Sequence, residues 1–452
     1  MSLAALTLWE RLGADKLLRW ERTPEAPLNG SEIIGWSREA RPLLVHIFGA
    51  RDAATRVLLL AGQHGDEIHA REAAEQIVRE GGPALSGLRL AVISNANPDG
   101  AHRTRRTNAR GRDLNRDHLT LQEPETRAIH RFVRFWRPQL IIDAHNYPPR
   151  RRHLLQLGLI AHYDLLFDLA SHPAASGSPR NVQAADFLDA VRADPALRDF
   201  ECERYTIIDP TGRARHSTCD IVDARNGLSL RHDALTVLIE GRTPTRKEGL
   251  AGRARAIAAQ TAAIESVLRR AVECVGARAT DAVIAPAEGE RVAIRFRRRK
   301  SPEPCQLKFQ DALTRKVKIA TFADFRPLVE VTREVTLPAA YAVPRSHPGL
   351  LELLDRHGFA SCSADPDETC LAERYCSPEA VPAQWTSRPS LQLVRETRGL
   401  AEYVLYPTAQ HGGRALAVFL EPGSKYGFQR VPECELKLGA DRSYPVLRVI
   451  SR

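Results

Sequence analysis

Two histidines and two glutamates are the residues of this sequence whose types and spacing point most directly to chemistry. His64 and Glu67 belong to the run QHGDE, His145 belongs to DAHN, and Glu240 belongs to LIEGR. Two imidazoles and one carboxylate leave the fourth position of a tetrahedral zinc ion open, which is typical of catalytic rather than structural zinc sites. We therefore predict that His64, Glu67 and His145 bind one zinc ion. Glu240 is the predicted general base for the water that zinc activates.

Each of these residues also has a purely structural interpretation. A histidine and a glutamate three residues apart occur by chance at the start of many surface helices. Glu240 would, on the same view, be a carboxylate at a strand end that pairs with Arg242. A third candidate ligand, His145, at the end of a second strand favours the metal site over these alternatives.

The elements that would position these residues are short apolar runs separated by helical patterns. The predicted strands are 56–62, 88–96, 139–145 and 234–241, and the predicted helices are 67–80, 123–136 and 249–275. Strands that are apolar on both faces and alternate with helices predict an α/β fold with a mostly parallel sheet. Residues just past the carboxyl ends of such strands line the ligand crevice, so we expect the candidate residues to converge there.

A segment rich in polar and basic residues lies between the first and third predicted strands. NPDG at 97–100 predicts a turn after the second strand, and the loop-like run RTNARGRDLNRD follows at 106–117. Beside a zinc site, such a loop suits an anionic substrate end: Arg106 could polarise a carbonyl group, while Asn115 and Arg116 could hold a carboxylate. A solvated basic loop is the alternative, and spacing alone leaves it open.

The pattern changes at about residue 281, where short β-like runs separated by Pro, Gly and Asp begin. One helix is predicted among them, at 349–358. We therefore predict a catalytic domain at 1–280 and a smaller, β-rich accessory domain at 281–452. The accessory domain could cap the crevice, restrict substrate size or mediate oligomerisation.

Five motifs in order carry a family resemblance: HGDE, NPDG, R-x-N-x-x-G-x-DLNR, DAHN and LIEGR. At these intervals they resemble the zinc metallocarboxypeptidases of the carboxypeptidase A type, and the bacterial branch that includes the murein peptide amidases is the most similar. The resemblance covers roughly residues 40–275. It implies a mixed, mostly parallel sheet flanked by helices, to which the second, smaller β-rich domain is added.

The resemblance implies a role for each matching residue. The implied zinc ligands are His64, Glu67 and His145, and Glu240 matches the glutamate that serves as base and then proton donor. Asp113 matches a carboxylate that orients a zinc-binding histidine, and such a partner fixes the ring and raises its basicity.

The implied substrate contacts lie in the DLNR segment. Arg106 matches the arginine that polarises the scissile carbonyl, and Asn115 and Arg116 match the pair that binds the terminal carboxylate. One feature departs from the family: its usual Tyr, about twenty residues before the catalytic Glu, is missing from the stretch 216–236. Exopeptidase action on ordinary C-terminal residues is therefore left open.

Arg225 lies fifteen residues before Glu240, near the position where family members place the residue that contacts the substrate side chain. An arginine there would favour an acidic side chain, which makes Arg225 a candidate substrate-binding residue. The alternative is a structural or surface arginine.

The expected function is that of a zinc-dependent hydrolase, a metallocarboxypeptidase or amidase that cleaves an amide bond in a small, anionic peptide with a free carboxylate. The alternative is a zinc deacylase of the aspartoacylase or succinylglutamate desuccinylase type, acting on N-acyl amino acids. NPDG favours the peptidase, whereas the missing Tyr and the added domain keep the deacylase open. A metal-binding scaffold without activity is a third alternative, which the intact ligands and base disfavour.

Composition narrows the partners. The 452 residues carry a net charge of +10, and only 8 of the 65 basic residues are Lys, so the others are Arg. This excess fits either a GC-rich coding background or sites that grip carboxylates. The basic runs 150–153 and 295–300 lack a nucleic-acid-binding motif, so we expect solvated faces or guides for an anionic substrate and no nucleic-acid partner.

The remaining patterns concern the compartment. The N-terminus does not resemble a signal peptide, and no apolar stretch reaches membrane-spanning length. We therefore expect a soluble, cytoplasmic protein without a membrane partner and with reduced cysteines. Cys362, Cys370 and Cys376 lie close together but lack the spacing of a structural zinc site.

Overall fold

The computed structural model describes residues 30–176, 184–274, 285–287, 289–365, 367–377, 391–439 and 441–451. These residues form two compact units, each discontinuous in sequence. Unit 1 contains the described parts of Met1–Ser229, Ala234–Thr280 and Arg298–Val329, and unit 2 contains those of Leu230–Asp233, Asp281–Arg297 and Glu330–Arg452. The predicted boundary between residues 280 and 281 lies outside the described residues, so the catalytic and accessory domains stay a prediction. Residues 298–329, which fall within the predicted accessory domain, belong to compact unit 1.

The described chain contains strands throughout its length. They are β1 (Gly30–Trp36), β2 (Pro42–Phe48), β3 (Thr55–Ala61), β4 (Leu88–Ile93), β5 (Leu140–Tyr147), β6 (Leu159–Ala161), β7 (Leu165–Leu169), β8 (Cys202–Arg204), β9 (Thr206–Ile208), β10 (Ala214–His216), β11 (Leu235–Arg242), β12 (Arg291–Arg299), β13 (Cys305–Asp311), β14 (Val317–Phe322), β15 (Leu328–Thr336), β16 (Ala340–Pro344), β17 (Cys362–Ser363), β18 (Thr369–Cys376), β19 (Gln392–Gly399), β20 (Tyr403–Pro407) and β21 (Leu447–Ser451).

Helices are concentrated in unit 1. The helices of the described chain are α1 (Ile68–Arg79), α2 (Pro98–His102), α3 (Pro124–Trp136), α4 (Arg152–Gln156), α5 (Pro173–Ser176), α6 (Ala184–Arg192), α7 (Ala224–His232), α8 (Gly249–Cys274), α9 (Pro348–Arg356) and α10 (Arg414–Leu420). None of these helices combines the length and the apolar composition that a membrane crossing requires.

Unit 1 is built on an eight-stranded mixed sheet. Its strand order is β1-β2-β4-β3-β5-β11-β7-β8. The central strands β4, β3, β5 and β11 are parallel, as are β7 and β8, while the remaining neighbours are antiparallel. The prediction of a mixed, mostly parallel sheet flanked by helices is therefore confirmed.

Strand β3 illustrates how the apolar runs become the centre of this sheet. Every side chain from Val57 to Ala61 is fully buried. Val57 and Leu59 join a core with α1, α6 and α8, and Leu58 and Leu60 join a second core with α3 and α7. Each fully buried leucine contributes about 2 kcal/mol of hydrophobic stabilisation. A strand buried on both faces must be apolar at every position, which explains the uninterrupted runs.

The predicted elements of this region are present, with one correction. The four predicted strands correspond to β3, β4, β5 and β11, and the three predicted helices to α1, α3 and α8. The prediction of a turn at NPDG was wrong, because Pro98 begins the short helix α2. The Asn97 side chain caps this helix by accepting a hydrogen bond from the Gly100 amide at 2.9 Å. Asn before Pro is a favourable helix start, since it satisfies an otherwise unpaired amide.

Unit 2 contains a six-stranded sheet of order β17-β20-β16-β21-β18-β19, in which all neighbours are antiparallel. The predicted helix at 349–358 corresponds to α9. The C-terminal region is therefore rich in β structure, as predicted.

Candidate metal centre and substrate cavity

The candidate residues lie where three parallel strands of unit 1 end. His64 and Glu67 stand between β3 and α1, His145 lies near the end of β5, and Glu240 lies near the end of β11. Glu240 is the register partner of His145 in the parallel pair. Parallel strands bring their carboxyl ends to one edge of the sheet, so residues distant in sequence meet there.

Local features of the loop after β3 keep the Glu67 carboxylate available. Glu67 directly precedes α1 but does not cap it. The Asn146 side chain instead accepts a hydrogen bond from the Ala70 amide at 2.8 Å, which satisfies one amide of the first helical turn. Gly65 is required because a Cβ there would lie 2.0 Å from the Gly100 carbonyl carbon.

His64, Glu67 and His145 form a buried group whose donor atoms all lie within 4.8 Å of one another, the one such group of three among the described residues. Glu67 Oε1 lies 2.6 Å from His64 Nδ1, and Glu67 Oε2 lies 2.8 Å from His145 Nδ1. The two rings approach to 4.9 Å between centroids. Both histidines therefore present Nδ1 to the same point, as a shared metal ion requires.

The far nitrogen of each histidine contacts a carboxylate. His64 Nε2 lies 3.0 Å from Asp113 Oδ1, and His145 Nε2 lies 3.0 Å from Asp143 Oδ1. Metal-binding histidines usually engage an acceptor in this way, which orients the ring and raises its basicity. Two imidazoles, one carboxylate and two orienting carboxylates fit a zinc ion.

The sequence analysis did not identify Asp143 as a partner of His145, although its spacing from His145 could have indicated that role. Asp143 and His145 are two residues apart on β5, and residues at this spacing point to the same face of a strand. An acidic residue two positions before a candidate ligand was therefore a candidate for orienting it.

The charges around the ligand group favour a cation. Burial opposes the charged form of Glu67, yet His145 and His64 lower its pKa overall. Burial likewise opposes a proton on His145, but Asp143 and Glu67 raise its pKa well above the ordinary value. The carboxylates thus stabilise positive charge at this point, which a divalent metal ion would supply.

Glu240 shows the opposite shift. Burial raises its pKa, Glu67 adds to the effect, and His145 and Arg151 oppose it. A carboxylate with a raised pKa is a better proton acceptor than an ordinary one, as general acid–base catalysis needs.

A cavity of about 480 Å³ adjoins the ligand group. It is lined by residues of unit 1, namely His64, Glu67, Arg106, Asn115, Arg116, Asp143, His145, Asn146, Pro148, Arg151, Arg152, His153, Tyr205, Ile207, Ser217, Thr218, Asp223, Arg225, Leu238 and Glu240. All the sequence-predicted site residues except Asp113 line it.

Arg106 is held at the cavity by the carboxylate that orients His64. Its Nε and Nη2 lie 3.0 and 2.9 Å from Asp113 Oδ2, and its Nη1 lies 3.8 Å from Glu67 Oε1. Almost half of the side chain stays exposed. The guanidinium is thus fixed beside the candidate metal ligand Glu67 while remaining accessible to a substrate.

Asn115 and Arg116 reach the cavity from a short 3₁₀ helix at Leu114–Arg116. Asn115 Oδ1 accepts a hydrogen bond from the Ala224 amide at 2.7 Å, and its Nδ2 lies 3.2 Å from His145 Nε2. Arg116 is exposed and donates from Nη1 to the Asn115 carbonyl oxygen at 2.5 Å. The side-chain amide of Asn115 therefore links this segment to α7 and to His145, a candidate metal ligand.

Arg225 is buried, with its charge balanced inside the protein. Its Nη2 donates to the Thr218 carbonyl oxygen at 2.5 Å, and the guanidinium pairs with Asp223 at 3.5 Å and Asp168 at 3.8 Å. Ser217 accepts a further hydrogen bond. The substrate-binding role of Arg225 stays a prediction, and these contacts support the structural alternative.

A hydrogen-bonded chain behind His145 was also missed. The Gln63 amide donates to Asp143 at 2.7 Å, and its oxygen lies 2.8 Å from His118 Nε2. His118 Nδ1 in turn lies 3.1 Å from His130 Nε2. Burial lowers the pKa of His118 to about 4, so this ring is neutral near pH 7. No local pattern indicates this chain, because separate segments contribute its members.

The family Tyr is missing from the stretch 216–236, but a tyrosine from an earlier part of the chain lines the cavity. Tyr205, between β8 and β9, lines it together with Glu240. Sequence spacing could not indicate this residue, since it lies 35 positions before Glu240.

Part of the chain is similar to known zinc carboxypeptidases. Residues 29–149 match the family described as zinc carboxypeptidase, Peptidase_M14. The matched segment includes the three candidate ligands and Arg106, but it ends before Glu240. No curated protein sequence matches this chain significantly.

Solved structures of bacterial enzymes are similar to part of the chain. A metallo-carboxypeptidase from Burkholderia cenocepacia is 17% identical, covers 56% of this chain and 66% of its own, and has a TM-score of 0.42. A metallo-carboxypeptidase from Pseudomonas aeruginosa, in complex with (2-guanidinoethylmercapto)succinic acid, is 20% identical over 57% and 68%, with a TM-score of 0.40. The murein-tripeptide amidase MpaA from Escherichia coli O157 is 17% identical over 56% and 95%, with a TM-score of 0.34.

The segment that matches the zinc carboxypeptidase family therefore contains His64, Glu67 and His145, the three residues of the candidate metal group. The resemblance that the motifs indicated is thereby confirmed. Zinc is the metal of this family, and the group formed by His64, Glu67 and His145 is the place in the described chain that fits it.

Proposed function

We propose that this protein is a metallocarboxypeptidase or amidase that cleaves an amide bond in a small, anionic peptide with a free carboxylate. One observation carries the proposal: His64, Glu67 and His145 converge with Glu240 on a single cavity. Arg106 and Arg116, which also line this cavity, favour an anionic ligand. A volume of about 480 Å³ is in the range of cavities that enclose small ligands.

Glu240 would move the proton in this reaction. Zinc held by His64, Glu67 and His145 would activate the attacking water and polarise the scissile carbonyl. Glu240, with its raised pKa, would accept a proton from the attacking water and return it to the leaving nitrogen. The same carboxylate therefore acts first as base and then as acid.

Arg106 would stabilise the charge that develops on the carbonyl oxygen. Its guanidinium is already fixed by two contacts with Asp113, so little reorganisation is needed as the charge forms. Asn115 and Arg116, one segment further along, would bind the terminal carboxylate. Because Asn115 is tied to Ala224 and His145, substrate binding there would be coupled to the position of a metal ligand.

Replacement of the proton-transferring residue tests the proposal most directly. Glu240→Gln should keep about one zinc per chain but lower kcat for an unblocked peptide by about 10²- to 10⁴-fold, since the metal ligands are intact. Metal analysis and peptide turnover measure the two effects. Glu75→Gln, at a partly exposed glutamate on α1, is the matched control.

Two outcomes would contradict this proposal. One is a wild-type chain that binds no zinc when the metal is supplied. The other is hydrolysis of N-acyl amino acids without hydrolysis of any unblocked peptide, which would favour the deacylase instead.

A further inference from the structure

Arg151 is a cavity-lining basic residue that the proposed mechanism does not use. It lies between β5, which carries His145, and α4. Of the three consecutive arginines at 150–152, Arg151 alone is partly buried, whereas its two neighbours are exposed. Arg151, Arg152 and His153 of the basic run noted in the sequence all line the cavity, and Arg151 is the partly buried arginine among them.

Aromatic rings hold the Arg151 guanidinium in place. Its central carbon lies 5.5 Å from the centre of the Tyr147 ring and 5.9 Å from that of the Tyr205 ring. Arg151 Nη1 also donates to the Tyr205 hydroxyl at 3.4 Å. A guanidinium positioned by rings keeps its donors free for a ligand and loses little side-chain freedom when it binds one.

Among the described residues Arg151 has no direct ion pair, unlike Arg106 and Arg225 in the same cavity. Arg106 pairs with Asp113, and Arg225 pairs with Asp223 and Asp168. Within the described part of the chain, no carboxylate lies within ion-pair distance of Arg151. Glu240 acts on Arg151 only from beyond that distance. A partly buried cation without a direct ion pair is unfavourable, so an anionic group of a ligand would gain more here than beside the paired arginines.

We propose that Arg151 and Tyr205 form an anion subsite that binds the acidic side chain of a peptide substrate beside the scissile bond. The subsite rests on the proposed function, because it names the substrate class of the same cavity. The guanidinium would pair with the carboxylate through charge-assisted hydrogen bonds, and the Tyr205 hydroxyl would donate one more. Arg116 comes from a different segment, so a peptide with two carboxylates can use both groups.

Binding to a chain that cannot turn over substrate tests the subsite. Isothermal titration calorimetry would use the zinc-loaded Glu240→Gln protein with two peptide pairs: N-acetyl-Ala-Glu against N-acetyl-Ala-Gln, and N-acetyl-Glu-Ala against N-acetyl-Gln-Ala. Members of a pair differ only in one side-chain charge. The Glu member of at least one pair should bind about 10-fold more tightly or better.

Further substitutions assign this preference to its residues. Arg151→Gln should abolish it while leaving the Gln peptides nearly unchanged, and Arg151→Lys should keep part of it. Tyr205→Phe, which retains the ring, should reduce it a few-fold. Arg150→Gln, an exposed neighbour outside the cavity lining, should leave it intact.

The proposed subsite is contradicted if neither peptide pair shows tighter binding of its Glu member. It is also contradicted if Arg151→Gln weakens the binding of both members of a pair equally. It is equally wrong if the preference survives Arg151→Gln. The proposed function is tested separately, by the zinc content and peptide turnover of the wild-type chain. The subsite can therefore be disproved while the proposed function holds, and the reverse is also possible.

Discussion

Each compact unit buries a glutamate that binds neighbours through both oxygens, yet the two glutamates have different partners. In unit 1, Glu67 faces two imidazole nitrogens beside an open cavity. In unit 2, Glu421 is fully buried and accepts hydrogen bonds from Tyr341 at 2.8 Å and Tyr375 at 2.6 Å, and Arg448 pairs with it.

The comparison shows that partner chemistry, rather than burial of charge, distinguishes the metal site. An imidazole can give up its proton and bind a metal ion instead. Burial raises the pKa values of Tyr341 and Tyr375, and an arginine does not deprotonate in proteins. The partners of Glu421 therefore remain protonated, and that cluster is suited to stability only.

The largest expected effect is a loss of activity on substitution at the candidate metal site, which the Glu421 cluster should not show. His64→Ala removes a candidate ligand, so the protein should lose its zinc and its turnover should fall on the order of a thousandfold. Metal analysis and peptide hydrolysis measure the change. His102→Ala, an exposed histidine, should alter neither; full zinc occupancy in His64→Ala would contradict the ligand assignment.

Glu421→Gln should act on stability instead. The substitution removes one of the two carboxylates that pair with the buried Arg448 and leaves Glu373 at 3.2 Å, so the free energy of unfolding should fall by about 2 kcal/mol. Urea denaturation followed by circular dichroism measures it, with the exposed Glu402→Gln as control. Zinc content should stay unchanged, and a loss of zinc would mean that the two clusters are not independent.

Asp143→Asn should weaken the metal site without removing a ligand. Asp143 orients His145 and also accepts from Gln63, so zinc affinity should fall about 10- to 100-fold. Competition with a chelator gives the affinity. An unchanged affinity would show that Asp143 has no part in metal binding, and Asp189→Asn on the exposed face of α6 controls for the loss of charge.

A smaller, pH-dependent effect is expected at Glu125, a third buried glutamate. One of its oxygens, Oε2, has no hydrogen-bond partner in the described chain, and burial raises its pKa from 4.5 to about 7. Because the folded pKa exceeds the unfolded one, stability from this group is present below pH 4.5 and is lost as the pH rises towards 7.

Glu125→Gln removes this dependence. The substitution should raise the free energy of unfolding at pH 8 by about 1 to 2 kcal/mol relative to wild type and change it little at pH 4. Urea denaturation at both pH values measures the difference. Equal effects at pH 4 and pH 8 would show that the carboxyl does not titrate in this range.

Much of unit 1 was predictable because its elements are locally encoded. Strands buried on both faces must be apolar throughout, so β3, β4, β5 and β11 stand out as runs. Since functional residues follow strand ends, His64 and Glu240 could be located by position alone. The NPDG helix was mispredicted because a helix start and a turn favour the same residues.

Residues that act through spatial neighbours could not be predicted. Gln63, His118 and His130 form one chain only because separate segments pack together. Arg225 was predicted to contact substrate from its spacing, but its partners Asp168 and Asp223 become apparent only in the folded chain.

The sequence by itself determined the strand pattern, the three candidate metal ligands and the base, since residue type and short-range periodicity carry that information. Only the tertiary structure decided which of the many arginines have their charge balanced. Arg225 is neutralised by buried carboxylates, while Arg151 lies in the cavity beside Tyr205. The physical reason is that ion pairing depends on the distances between charged groups in the folded chain, and amino-acid composition does not determine those distances.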